Sequence, residues 1–209
     1  MPDLVDGGIR FRAGGPVWGA AFADTPHGNH RAQFGHPELV TTASGAMRLT
    51  TNRDELVPEG ASTYVAGMAS SATFALFHDG FFEARIRTLA NPSGGWGQFS
   101  LISADRLGPE INIWDWNGYS DHHNVGTRGP VAIEPVSASE SSWHTHGCRR
   151  EDGTVTFYLD GVQVAQMPEP KPYGGSGDMY LALNGGVINP AYFTTASFEV
   201  DWVRVWERS

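Results

Sequence analysis

Two carboxylates and an amide stand close together in the segment 110–115, which reads Glu-Ile-Asn-Ile-Trp-Asp. In a regular strand, residues two apart share a face, so Glu110 and Asn112 point one way and Asp115 points the other. One bulged residue at Trp114 would return Asp115 to the face of Glu110. Two carboxylates on one surface are the pair that cleavage of a glycosidic bond requires. The same string also fits an ordinary exposed strand face.

The elements that would carry these residues are strands. Phe82, Ala84 and Ile86 alternate with charged side chains, which predicts a half-buried strand. Asp160-Gly161 separates two β-rich runs and predicts a hairpin, because a type I′ turn needs positive φ at both central positions. Helical periodicity over ten or more residues is absent and the turns are rich in glycine. The sequence therefore predicts an all-β sandwich or barrel.

Length and composition fit a single β domain over residues 1–209. Of the 209 residues, 26 are Gly and only 18% are charged, which suits short strands and many turns. The net charge of −9 gives an acidic surface that repels phosphate backbones, so nucleic acid is not expected as a partner. The single cysteine, Cys148, excludes a disulfide within the chain.

The sequence shows neither a membrane-spanning segment nor the features of a signal peptide. No apolar run approaches the length that spans a bilayer, so no membrane partner is expected. The first six residues, Met-Pro-Asp-Leu-Val-Asp, are acidic and lack the apolar segment of a signal peptide. Two alternatives stay open: a cytoplasmic protein, or one whose signal or upstream region has been replaced by a start Met. The sequence does not set the oligomeric state.

The segment from Glu110 to Gly118 resembles the catalytic strand of glycoside hydrolase family 16, the laminarinase, lichenase and agarase group. That family has Glu-Ile-Asp-Ile-x-Glu, often followed by an aromatic residue and a glycine, where this chain has Glu-Ile-Asn-Ile-Trp-Asp-Trp-Asn-Gly. Residues 94–99, Gly-Gly-Trp-Gly-Gln-Phe, are similar to its Gly-x-Trp-Pro-Ala-Phe. Further segments resemble the family in the same order, namely 64–71, 79–86, 143–146, 157–161 and 198–206.

The resemblance implies a two-sheet antiparallel jelly-roll sandwich, concanavalin A-like, with a concave carbohydrate cleft. Glu110 would be the nucleophile and Asp115 the acid/base, with Asn112 in place of the family's middle Asp. The implied activity is endo-acting hydrolysis of a β-linked polysaccharide, either a glucan, a galactan or a bacterial exopolysaccharide. Family members usually meet such substrates outside the cytoplasm, so the resemblance implies a secreted protein.

Two departures from the family pattern keep other functions open. Asp115 is one methylene shorter than Glu, which sets its carboxyl back by roughly 1.5 Å. That wider gap would admit a water and favour inversion. Asn112 can donate to ionised Glu110 but removes the negative neighbour that would help Asp115 keep its proton. The alternatives are a non-catalytic carbohydrate-binding domain, and a lyase that uses His122, His123 and Arg128.

Aromatic and polar residues are predicted to hold the sugar. Trp96 and Trp116 would supply aromatic faces for stacking, although core packing is the alternative for each. The resemblance adds Asn184 and His144 to the sugar-binding residues.

Metal binding has two readings in the sequence. His144 and His146 could bring two imidazoles to one strand face for zinc, but no third ligand is evident. No cofactor is required by the expected chemistry. The resemblance implies a structural calcium at Gly45 and Asp201, where oxygen ligands would suit that ion.

Overall fold

A computed structural model describes most of the chain from residue 37 onward, namely residues 37–53, 64–72, 75–90, 94–104, 110–117, 122–128, 132–137, 141–169, 177–187, 193 and 195–207. A short 3-10 helix, Pro37–Leu39, leads into the first strand. The strands are β1 (Val40–Ala43), β2 (Ala46–Arg53), β3 (Tyr64–Ala66), β4 (Met68–Ser70), β5 (Gly80–Ala90), β6 (Gly95–Ser103), β7 (Glu110–Asn117), β8 (His122–Arg128), β9 (Ala132–Ser137), β10 (His144–Glu151), β11 (Thr154–Leu159), β12 (Val162–Pro168), β13 (Met179–Val187) and β14 (Thr195–Glu207).

These strands form two antiparallel sheets. The larger sheet runs β1-β2-β14-β5-β10-β11-β12, with β3 paired to β2 as its eighth strand. The smaller sheet has six strands in the order β4-β13-β6-β7-β8-β9. The predicted two-sheet sandwich is therefore confirmed. Within the described part of the chain, no helix is long and apolar enough to cross a membrane.

Alternation along the strands accounts for which side chains enter the space between the sheets. Phe82, Ala84 and Ile86 on β5 are at most 1% exposed, as the sequence predicts. Asp160 and Gly161 join β11 to β12 with φ angles of 49° and 79°, which confirms the predicted hairpin turn.

The core is filled by large side chains from both sheets. Trp114 on β7 is fully buried, and its ring lies 5.1 Å from that of Phe198 on β14, so one contact joins the two sheets. Gly97 on β6 makes room for this indole, because a Cβ there would come within 3.0 Å of the Trp114 ring. The position of β7, and with it the segment 110–115, is thus set by packing beneath it.

The outer face of the larger sheet carries a buried carboxylate between two arginines. Glu199 on β14 is 3% exposed and accepts hydrogen bonds from Arg48 at 2.8 Å and from Arg87 at 2.7 Å. Burial alone would raise the pKa of Glu199, but the hydrogen bonds and charges of the two guanidinium groups outweigh it and hold the pKa below its ordinary value.

Replacing this carboxylate should destabilise the fold in a pH-dependent way. We expect Glu199→Gln to lower the free energy of unfolding at pH 7 by about 1–3 kcal/mol, the scale of hydrogen bonds to charged groups. Because the pKa of Glu199 is lower in the folded state, the stability that Glu199 contributes to the wild-type protein is fully present above the ordinary pKa of 4.5. This contribution disappears as the pH falls through the folded-state pKa. Urea unfolding of both proteins between pH 7 and pH 3 should show the difference shrinking below about pH 4.5.

Glu83 on β5 supplies the control for that experiment. Burial raises its pKa, and the weaker opposing charge is Arg204, 3.7 Å away. Glu83→Gln should therefore be neutral or stabilising at pH 7. Equal losses in the two variants would contradict the assignment of Glu199 as a structural ion pair.

Candidate active site

A bulge in β7 places the two carboxylates on one face. The partners of Asn112 and Asp115 on β8 are only two residues apart, so Ile113 and Trp114 together oppose a single residue of that strand. Both side chains are buried in the core, at 1% and 0% exposure. Two successive inward residues reverse the alternation, so Asp115 returns to the outer face of the sheet. The structure thus contains the bulge predicted at Trp114, with Ile113 as its second residue.

A row of hydrogen bonds connects the two carboxylates across this bulge. Gln98 on the neighbouring strand β6 donates from Nε2 to Glu110 Oε1, and also to Asn112 Oδ1 at 2.7 Å. Asn112 in turn donates from Nδ2 to Asp115 Oδ2 at 3.3 Å. Glu110, Gln98, Asn112 and Asp115 therefore share one face of the six-stranded sheet, and we call these four residues the carboxylate–amide row.

Burial differs between the members of this row. The amides of Gln98 and Asn112 are 5% and 6% exposed, whereas Glu110 and Asp115 are only half-buried. The amides thus form a floor, and the carboxylates remain within reach of a molecule on the face of the sheet. This is the arrangement expected of groups that act on a bound substrate.

Gln98 is the member of the carboxylate–amide row that the sequence analysis did not single out. In the segment 94–99, Gln98 stands at the position where the family pattern has Ala. This polar residue in place of an apolar one was the feature of the sequence that could have identified it. Recognising it required the register between β6 and β7, which pairs Gln98 with Asp115.

Two of the predicted sugar-binding residues lie on the same face. Trp96 is two residues before Gln98 on β6 and is half-buried. Asn184 on β13 pairs with Gln98 on the side away from β7. Its side chain is buried, and its Oδ1 has no hydrogen-bond partner among the described residues. The structure thus brings Trp96 and Asn184 beside the carboxylate–amide row, and their role in sugar binding stays a prediction.

The structure does not bring Trp116 to this face. Its indole belongs to the main core at 1% exposure, because Trp116 follows Asp115 in a strand whose alternation resumes after the bulge. No face of the ring is open for stacking, so the packing alternative describes this residue and the predicted sugar platform at Trp116 is corrected.

His144 is likewise separated from the carboxylates. It lies on β10, in the opposite sheet, where its Nδ1 is 2.7 Å from Asp160 Oδ2. Burial would raise the pKa of Asp160, but hydrogen bonds from the Thr145 N–H and from His144 lower it overall. This pairing ties His144 to the β11–β12 turn, and sugar binding by His144 stays a prediction. His146 lies beside it, and the described residues hold no cluster of three or more His, Cys, Asp or Glu side chains for zinc.

The two predicted calcium positions fall at one end of the larger sheet. Val200 on β14 pairs with Met47 on β2, so Asp201 and Gly45 both lie just beyond this pair. The carboxylate of Asp201 is engaged by Arg85 at 2.7 Å. An ion there would compete with Arg85 for this carboxylate, and main-chain oxygens are also ligands that calcium accepts. The calcium site stays a prediction.

Other predictions fall outside the described part of the structure. The side chains of His122, His123 and Arg128 are not described, so the lyase alternative stays a prediction. The first 36 residues are also outside the described structure, so the two alternatives for export stay open.

Comparison with known proteins gives one curated relative and many similar folds. No family model matches the chain. The Endo-1,3-1,4-beta-glycanase ExsH of Rhizobium meliloti (strain 1021) is 24% identical over 165 residues, which is 66% of this chain and 35% of that protein. The chain thus spans about a third of the length of this relative.

Solved structures show the fold more completely. The laminarinase from Rhodothermus marinus superposes with a TM-score of 0.74 at 17% identity, covering 91% of this chain and 90% of that one. SCLam, described as a non-specific endo-beta-1,3(4)-glucanase from family GH16, gives a TM-score of 0.71 at 17% identity over 92% of this chain and 84% of that one. The sandwich is therefore the jelly roll of glycoside hydrolase family 16 enzymes, which confirms the resemblance at the level of the fold.

Proposed function

We propose that this protein is an endo-acting glycoside hydrolase that cleaves a β-linked glucan on the face of its six-stranded sheet. The observation that carries the proposal is the pair of half-buried carboxylates, Glu110 and Asp115, joined through amides across the β7 bulge. The similarity to a glycanase and to laminarinases supports glucan as the polymer. Since such polymers are met outside the cell, we place the activity there.

In the proposed reaction Glu110 is the nucleophile. Its carboxylate attacks the anomeric carbon and forms a glycosyl ester while Asp115 donates its proton to the departing glycosidic oxygen. Asp115 then takes a proton from water, which attacks the same carbon and releases Glu110. The scissile bond would lie between the two carboxylates, so that Glu110 attacks the side of the anomeric carbon opposite the departing oxygen and water later enters from the Asp115 side.

The surrounding residues are assigned to binding. Trp96 would place an aromatic face against the C–H surface of a sugar ring. Asn184 would offer its buried Oδ1 to a sugar hydroxyl, which would satisfy an acceptor that lacks a partner in the described structure.

One contact favours the alternative of a non-catalytic carbohydrate-binding domain. Asn112 donates to Asp115, and a donor at this position stabilises the ionised carboxylate, which has no proton to give. If that effect dominates, the face binds polysaccharide and does not cleave it.

Cleavage and binding can be separated with a panel of polymers. Purified protein is incubated with laminarin, mixed-linkage β-glucan, agarose and a bacterial exopolysaccharide, and new reducing ends are measured alongside retardation in affinity gels. We expect fresh reducing ends from a β-glucan, with an early fall in viscosity that marks internal cleavage. Retardation by a polymer that yields no reducing ends would establish the binding domain.

A further inference from the structure

We propose that Gln98 is a positioning residue that holds both carboxylates in their working orientation. This inference rests on the proposed function, because it assigns a role within the same reaction. Gln98 itself touches neither end of the glycosidic bond in that scheme. It acts through Glu110 directly and through Asn112 on Asp115.

The orientation of the Gln98 amide matches the direction of the hydrogen bonds along the carboxylate–amide row. Its Nε2 carries two N–H groups, one for Glu110 and one for the carbonyl oxygen of Asn112. Because that oxygen is held by Gln98, the Asn112 amide must turn its NH₂ group toward Asp115. Every donor in the row is an amide N–H, and both ends of the row are carboxylate oxygens.

The contacts that Gln98 does not make support a role toward the carboxylates. Asn184 pairs with Gln98 from the other side, and its Oδ1 is a buried acceptor without a partner among the described residues. If Gln98 served only to satisfy buried polar groups, it could donate to Asn184 Oδ1 on the neighbouring strand. The two hydrogen bonds that Gln98 donates instead go to Glu110 and Asn112 on β7.

Three departures from the resembled sequence pattern meet in this row. Gln98, Asn112 and Asp115 stand where the pattern has Ala, Asp and Glu. In this chain the three residues are hydrogen-bonded in series, because Gln98 donates to Asn112 and Asn112 donates to Asp115. An Asp at position 112 would offer Asp115 a hydrogen-bond acceptor instead of a donor. The amide of Gln98 holds the Asn112 side chain that replaces this Asp.

The kinetic test uses two variants of Gln98. Gln98→Glu keeps the shape but replaces the donors with a negative charge beside Glu110. Gln98→Ala removes the side chain altogether. We expect kcat to fall roughly 10–100-fold in Gln98→Ala and further in Gln98→Glu, with KM changed less than about threefold, the scale of small misplacements of reacting groups. Gln163→Ala, on the exposed strand β12, is the control and should retain wild-type kinetics.

A second measurement does not depend on activity. Hydrogen exchange of side-chain amides, followed by NMR, should show the NH₂ protons of Gln98 protected at least about tenfold relative to those of exposed Gln163, since both are hydrogen-bonded in a buried site. Glu110→Ala, which removes the acceptor, should remove most of the protection from one of them.

The outcomes distinguish the two proposals. Protected Gln98 amides in a protein that cleaves no polymer would overturn the proposed function while leaving the row intact. Exchange as fast as in Gln163, or a kcat for Gln98→Ala within twofold of wild type in a cleaving protein, would overturn the role of Gln98. Thermal unfolding of each variant shows whether a lost rate reflects lost folding.

Discussion

Replacing Glu110 by Gln is expected to reduce kcat by roughly 10⁴-fold or more, the scale seen when a covalent nucleophile is removed. The amide cannot form the glycosyl ester, yet it fills the same volume and leaves the sheet intact. Asp115→Asn should cost roughly 10²–10⁴-fold, the usual contribution of general acid–base catalysis. Reducing-end assays measure both losses, and affinity gels should show that each variant still binds the polymer.

Rescue by azide separates the two roles. In Asp115→Ala the glycosyl ester on Glu110 still forms from an activated aryl glycoside, and azide attacks it to give the β-glycosyl azide. In Glu110→Ala azide takes the place of the carboxylate and attacks the substrate directly, which gives the α-glycosyl azide. Reversed products would exchange the two assignments. Wild-type rates in either variant would remove that residue from the mechanism.

The second large effect concerns the residue that holds the bulge in place. Trp114→Ala should lower the free energy of unfolding by about 3–5 kcal/mol, because a fully buried indole is lost between the two sheets. The cavity would open at the residue that precedes Asp115 on β7, so the site should loosen as well as the fold. Urea unfolding at pH 7 gives the stability.

Trp202 provides a matched control for that variant. Its indole lies on the half-buried outer part of β14, under the guanidinium of Arg204 at 4.1 Å. Trp202→Ala should cost about 1 kcal/mol, the size of one exposed cation–π contact. A loss in Trp114→Ala no larger than in Trp202→Ala would mean that the bulge is held by something other than this indole.

Local periodicity explains what the sequence could predict. Alternation on β5 identifies its core face, and the Asp160-Gly161 pair identifies a hairpin, because both depend only on neighbouring residues. The bulge follows from the need to place Asp115 with Glu110. Applied one residue further, the same reasoning would have placed Trp116 in the core, so that error lay in an incomplete use of the pattern.

Long-range pairing explains what the sequence could not predict. The roles of His144 and Gln98 depend on which strand lies beside which, and on the register between them. His144 is separated from the carboxylates because β10 pairs with β5 in the opposite sheet. Gln98 reaches Glu110 because β6 pairs with β7. The pattern of apolar and polar residues along one strand does not show which strand pairs with it.

The most direct test of the account is the configuration of the first product. Proton NMR of a β-glucan digest, recorded within minutes of adding the enzyme, resolves the α- and β-anomeric signals before mutarotation mixes them. Nucleophilic attack by Glu110 followed by water predicts that the β-anomer appears first, with the α-anomer growing in later. An α-anomer at the earliest time, or no new anomeric signal with any polymer of the panel, would contradict it.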